Sequence, residues 1–210
     1  MSVLCLAPQY NTGKKKDATG AFQPEAKAFA KLHSVDAPIL IDNSKSKAAM
    51  RKAVLAAIES AEPDTLVLFC HGWKTGIQFG FGLSNVKELV AAFPDNMLAP
   101  RVILYGCLTA DGGGVGGDGG FADTLRDAFC ANGHEYAQVD AHVTAGHTTR
   151  NPFVRRFEGG GIVTGGVGGY YLVTPKSALW KKWVSELKGE LRFLFPFMTT
   201  VDIHAYLDEV

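Results

Sequence analysis

The sequence predicts a three-layer α/β domain, with a mostly parallel sheet of about six strands held between helices. Two observations carry this prediction. Apolar runs of strand length alternate with segments of helical period along most of the chain, the signature of a parallel sheet covered on both faces. The composition, 47% hydrophobic and 20% charged over 210 residues, is that of a globular protein able to fill one sizeable core. The alternation assigns residues 1–175 to the α/β domain and residues 176–210 to a helical segment that packs on it.

The elements follow in order. S-V-L-C-L-A, residues 2–7, reads as the first strand, and a loop rich in Gly, Lys and Asn comes next. P-E-A-K-A-F-A-K-L, from Pro24, has proline where a first helical turn tolerates it and apolar residues at helical spacing. Pro38–Asp42 is a second strand. Ser46 to Glu59 carries Ala49, Ala53 and Ile58 on one face, a helix stopped by Pro63. Leu66–Cys70 is a third strand. Ser84 reads as the N-cap of N-V-K-E-L-V-A-A-F, which halts at Pro94. Val102–Tyr105 is the next strand. F-A-D-T-L-R-D-A-F-C is an amphipathic helix closed by Asn132-Gly133. Ala137–Ala145 is the fifth strand, and residues 159–173 hold a sixth with a hairpin. From Ser177, Trp180, Trp183, Val184, Leu187 and Leu191 fall on one helical stripe, and F-L-F-P-F-M (Phe193 to Met198) covers the sheet or meets a partner.

Charge and hydropathy exclude several classes. Basic and acidic residues balance at 21 each, so the composition suggests no electrostatic footprint for nucleic acid; Lys14, Lys15 and Lys16 read as a solvated loop. No run approaches the roughly 18 apolar residues of a membrane span, and the first ten residues lack the charged and apolar regions of a signal peptide. Cys5, Cys70, Cys107 and Cys130 show neither a Cys-x-x-Cys pair nor a disulfide framework. A reducing cytoplasm is the expected compartment.

Two strands end on chemically capable residues. T-L-V-L-F-C-H-G-W stops at His71, and R-V-I-L-Y-G-C stops at Cys107. In an open parallel sheet, ligands bind at the carboxyl ends of strands, and strands joined by one helical crossover are usually neighbours. Strand spacing of about 4.8 Å then brings imidazole and thiol within reach of each other. A histidine can lower the thiol's pKa or act as its base. The Gly72 and Cys107 N–H groups are candidate oxyanion donors. Cys70, one residue before His71, points to the opposite face by strand alternation and belongs to the core.

An apolar strand ending in His-Gly, a helix, and an apolar strand ending in a small residue and Cys resembles the caspase-like cysteine peptidases, which include caspases, metacaspases, gingipain-like and CHAT-type enzymes. The resemblance rests on those two blocks. It implies a six-stranded caspase-like fold and a His71/Cys107 dyad that hydrolyses peptide or protein substrates without a cofactor. Metacaspase-type enzymes carry an acidic residue just before the cysteine; here that position is Gly106, so no preference for basic residues follows.

Other motifs leave alternatives open. An α/β-hydrolase would need a nucleophile elbow, and Y-G-C-L-T-A does not supply one. A non-catalytic scaffold that binds a partner through the same edge is a second functional class. D-G-G-G-V-G-G-D-G-G, Asp111 to Gly120, holds one copy of a calcium-repeat pattern that works in tandem. Activation by calcium through Asp111 and Asp118, or by cleavage, is what the resemblance allows at this loop. Asp111 and Asp118 are also candidates for a basic substrate side chain. T-A-G-H-T-T-R-N-P brings His147, Arg150 and Asn151 to the same edge, either as pocket residues or as a polar loop. Arginine suits a carboxylate, so Arg150 favours acidic or small polar primary residues, with Arg155 and Arg156 close by in sequence.

Overall fold

The computed structural model describes residues 2–10, 22–114, 117–145, 154–158 and 161–163. Seven strands form one sheet: β1 (Val3–Pro8), β2 (Ile39–Ile41), β3 (Thr65–Phe69), β6 (Arg101–Tyr105), β7 (Gln138–His142), β8 (Val154–Glu158) and β9 (Gly161–Val163). Their order is β2-β1-β3-β6-β7-β8-β9. The first five in that order are parallel, and β8 and β9 add antiparallel at one side. A separate hairpin pairs β4 (Gly72–Trp73) with β5 (Gly76–Ile77). The helices are α1 (Phe22–His33), α2 (Lys47–Ala61), α3 (Val86–Val90) and α4 (Phe121–Ala131).

Strand alternation sorts the core into two layers. Leu66, Leu68 and Cys70 face one side, with Leu4, Leu6, Val102, Leu104, Val139 and Ala141 from the neighbouring strands. Met50, Val54 and Ile58 of α2, Leu89 of α3 and Leu125 and Phe129 of α4 cover them. Cys5, Ala7, Val67, Phe69, Ile103 and Tyr105 face the other side, under Phe22, Ala26 and Phe29 of α1. The fold is thus the predicted three-layer α/β/α arrangement around a mostly parallel sheet.

Local chemistry explains most boundaries. Ser46 accepts the Ala49 N–H on its hydroxyl at 3.2 Å, capping α2. Glu62 closes the helix at φ 43°, its N–H returning to the Ile58 carbonyl, and Pro63 prevents continuation. Gly133 takes φ +92° past the end of α4, a conformation that favours glycine.

Two expectations need correction, and one element is not foreseen. Ser84 does not cap α3; Asn85 occupies that position, and its side chain is committed to the preceding loop instead, accepting from Gly82 N–H (2.7 Å) and donating to the Gly80 carbonyl (3.1 Å). A strand does lie within 159–173, β9 at Gly161–Val163, with residues 164–173 outside the described residues, but its hairpin partner is β8 from Val154, earlier than expected. V-R-R-F-E conceals this strand because its arginines find buried partners. Arg156 Nε donates to Asp140 Oδ1 at 2.9 Å, and Arg101 reaches Oδ2 of the same carboxylate at 2.5 Å. Asp140 is 1% exposed, a charge tolerable inside only because two guanidiniums meet it. The sequence does not announce the β4–β5 hairpin at all, because each of its strands is only two residues long. The expected helical segment 176–210, with its tryptophan stripe and Phe193–Met198, lies outside the described residues. Among the described residues, no helix is long and apolar enough to cross a membrane.

Candidate active site

β3 and β6 are hydrogen-bonded neighbours, and their last paired residues are Phe69 and Tyr105. His71 and Cys107 each follow by two residues, so both stand at the same carboxyl-terminal edge at equivalent heights. Adjacent strands lie about 4.8 Å apart. The ladder continues past the strand ends, with Cys70 N–H donating to the Tyr105 carbonyl at 3.4 Å. Both candidate residues are half-buried.

His71 is held from two sides. Its backbone N–H donates to Gln78 Oε1 at 3.2 Å, which ties it to the β4–β5 hairpin. Its ring meets Phe22 of α1 edge to face, centroids 5.0 Å apart at 88°, a favourable aromatic geometry. The imidazole therefore belongs to the α1 face of the sheet, opposite Cys70. Phe22 is 49 positions away in sequence, and nothing in the local pattern marks it as a neighbour of His71.

The chain turns sharply after Cys107. Leu108 adopts φ +59°, which costs a non-glycine residue about 1–2 kcal/mol. Surrounding bonds hold this conformation: Leu108 N–H to the Thr144 carbonyl (3.3 Å), Ala110 N–H to the His142 carbonyl (2.9 Å) and Thr109 Oγ1 to the Gly106 carbonyl (2.9 Å). Arg155 of β8 donates from Nη1 to the Ala110 carbonyl at 2.9 Å. Burial lowers the pKa of this guanidinium, and nearby Asp111 partly offsets the shift.

The loops after His71 and Cys107 are also tied to each other. Lys74 Nζ pairs with Asp111 Oδ2 at 2.8 Å, and Phe121 N–H donates to the Lys74 carbonyl at 2.8 Å. The glycines beside the two candidates allow this contact. A Cβ on Gly72 would come within 2.5 Å of Thr109 Cγ2 and 2.9 Å of the Cys107 carbonyl oxygen; one on Gly106 would meet Gly72 Cα at 3.3 Å. Gly72→Ala is therefore expected to push the Cys107 turn away from His71. Overpacking of this kind costs about 1–3 kcal/mol, read as a Tm fall of roughly 2–4 °C per kcal/mol in a chain of this size. An unchanged Tm in calorimetry would show that the two loops do not press together.

The other cysteines have environments that suppress reactivity. Burial pushes the Cys5 thiol up to about 12 and the Cys70 thiol higher still. Burial also raises Cys130, against the partial opposition of Arg126. A buried thiol kept protonated is a poor nucleophile. Cys70, 1% exposed, is the core residue that strand alternation predicts.

The remaining sequence candidates separate. Asp111 is engaged by Lys74, and Asp118 is exposed, its carbonyl accepting from Gly114 N–H at 3.0 Å. Among the described residues, no three His, Cys, Asp or Glu side chains converge as metal ligands. Arg155 and Arg156 serve the loop and Asp140, as above, rather than facing solvent alone. His147, Arg150 and Asn151 lie outside the described residues. A hollow of about 330 Å³ opens beside the β4–β5 hairpin, bounded by Trp73, Thr75, the glycine-rich stretch 80–82, Asn85 and Lys47, with neither His71 nor Cys107 in its wall. In comparisons with known proteins, the chain matches no family model, no curated protein and no solved structure, so the chemistry of this edge has to be read from its own residues.

Proposed function

We propose that the protein is a cysteine endopeptidase using a His71/Cys107 dyad. One observation carries the reading: a histidine and a half-buried cysteine each follow by two residues the ends of adjacent, in-register parallel strands, at the edge where such sheets bind ligands. In the proposed reaction His71 accepts the Cys107 proton as the sulfur attacks the scissile carbonyl. The N–H groups of Gly72 and Cys107 stabilise the oxyanion of the tetrahedral intermediate. Collapse breaks the C–N bond, with His71 delivering the proton to the departing amine and leaving a thioester on Cys107. Water, deprotonated by His71, then attacks the thioester, releasing the carboxylic acid and restoring the thiol. No cofactor enters these steps.

The test is labelling with a thiol-reactive peptide probe. Wild type and Cys70→Ala are expected to be labelled, and Cys107→Ala is not. Cys5 and Cys70 should remain unmodified until the protein unfolds, because burial holds both as thiols. Equal labelling of Cys107→Ala would remove the dyad from consideration. A folded protein whose Cys107 ignores every peptide probe favours a non-catalytic scaffold that binds a partner at the same edge.

A further inference from the structure

We propose that the hollow beside the β4–β5 hairpin is a subsite for the leaving side of the peptide substrate, taking an acidic residue two or three positions beyond the scissile bond. The inference rests on the peptidase reading above, because that reading fixes the direction of the substrate. His71 protonates the departing amine, so the residues after the scissile bond lie on its side of the cleft, and the acyl part lies over the Cys107 turn. β4 continues directly from His71. Trp73 follows His71 by two residues and lines the hollow, so the chain leads directly from the proposed acid to this wall.

The chemistry of the hollow selects the occupant. Its volume, about 330 Å³, lies at the lower end of the range for ligand sites. Among the described residues, Lys47 is the only charged side chain in its wall. Lys47 is exposed and, among the described residues, makes no ion pair. The acid of α3, Glu88, is already held by Arg51 at 2.8 Å. Trp73, 49% exposed, also lines the hollow. The intervening wall is built in advance: the Asn85 side chain bridges Gly82 and Gly80, and Arg51 Nη1 donates to the Gly80 carbonyl at 3.1 Å. Gly80, at φ +89°, packs so closely on α2 that a Cβ would come within 2.5 Å of the Lys47 carbonyl oxygen. A fixed wall with one uncommitted cation and one exposed indole suits an extended peptide bearing a carboxylate.

The decisive experiment uses peptides with one acyl half and acidic, neutral or basic residues at the second and third positions after the scissile bond. Wild type is expected to favour the acidic members by up to about fivefold in kcat/KM, the preference an exposed ion pair supports. Lys47→Glu should invert the order of acidic and basic peptides; glutamate in the first turn of α2 also suits the helix dipole, so the variant should fold. A flat profile, or a preference that survives Lys47→Glu, overturns the subsite. A second arm does not depend on turnover: an acidic leaving-side peptide titrated into Cys107→Ala should quench indole fluorescence saturably, and the signal should be lost in Lys47→Glu and absent with Trp73→Phe. Failure of the acyl-side probe to label Cys107 refutes the peptidase reading, whereas labelling with no charge preference and no quenching refutes the subsite alone.

Discussion

Cys107→Ala is expected to abolish peptide hydrolysis, with a loss of about three orders of magnitude or more in kcat/KM, equivalent to ~4 kcal/mol of transition-state stabilisation. The side chain is small, half-buried and at a strand end, so thermal stability should hardly change. His71→Ala should cost about as much, and the double variant little more, because two residues that act as one unit do not contribute additively. Cys70→Ser gives the opposite pattern: an added hydroxyl in the apolar layer with Leu66 and Leu68 should cost about 1–3 kcal/mol with activity retained. Steady-state kinetics and calorimetry on these variants, together with Cys70→Ala and wild type, check the set. Activity that persists in folded Cys107→Ala but vanishes in folded Cys70→Ala would move the nucleophile to the other face of the sheet.

Asp140→Ala is expected to produce the largest loss of stability. The carboxylate joins three adjacent strands, taking Arg101 from β6 and Arg156 from β8. Removing one member of a buried charge cluster costs about 3–5 kcal/mol, because the remaining charges lose their compensation. The two arginine side chains retain 20% and 23% exposure, so hydration recovers part of that, and the lower end is expected. Replacing all three residues with apolar ones of similar volume should recover most of the stability. Denaturant melts decide this: a loss below about 1 kcal/mol in Asp140→Ala would mean that the cluster behaves as a surface ion pair.

The same cluster shows where sequence patterns stop being informative. The strands β1, β3 and β6 are readable because nearly every side chain in them is buried in one apolar layer or the other, so each reads as an almost continuous apolar run. β8 follows the same geometry, but its arginines depend on Asp140 and on the Ala110 carbonyl, partners that no local window contains. The Ser84 cap failed for a related reason. Capping preferences describe side chains free to turn back on the helix, whereas Asn85 displaces Ser84 from that position and is itself bound into the 80–82 loop.

By itself the sequence determined the layering of the sheet, the burial of Cys70 on the face away from His71, and the arrival of His71 and Cys107 at one edge. Alternation, crossover length and burial are local or nearest-neighbour properties, and the chain encodes them directly. Only the tertiary structure decided how that edge is held: Phe22 against the imidazole, Lys74 on Asp111, Arg155 on the Cys107 turn, and Gly72 pressed against the Cys107 carbonyl. Each of these contacts joins segments far apart in sequence or depends on the path of a turn. They form only once the core has brought the strand ends together, because the hydrophobic pattern that drives folding specifies faces and not partners.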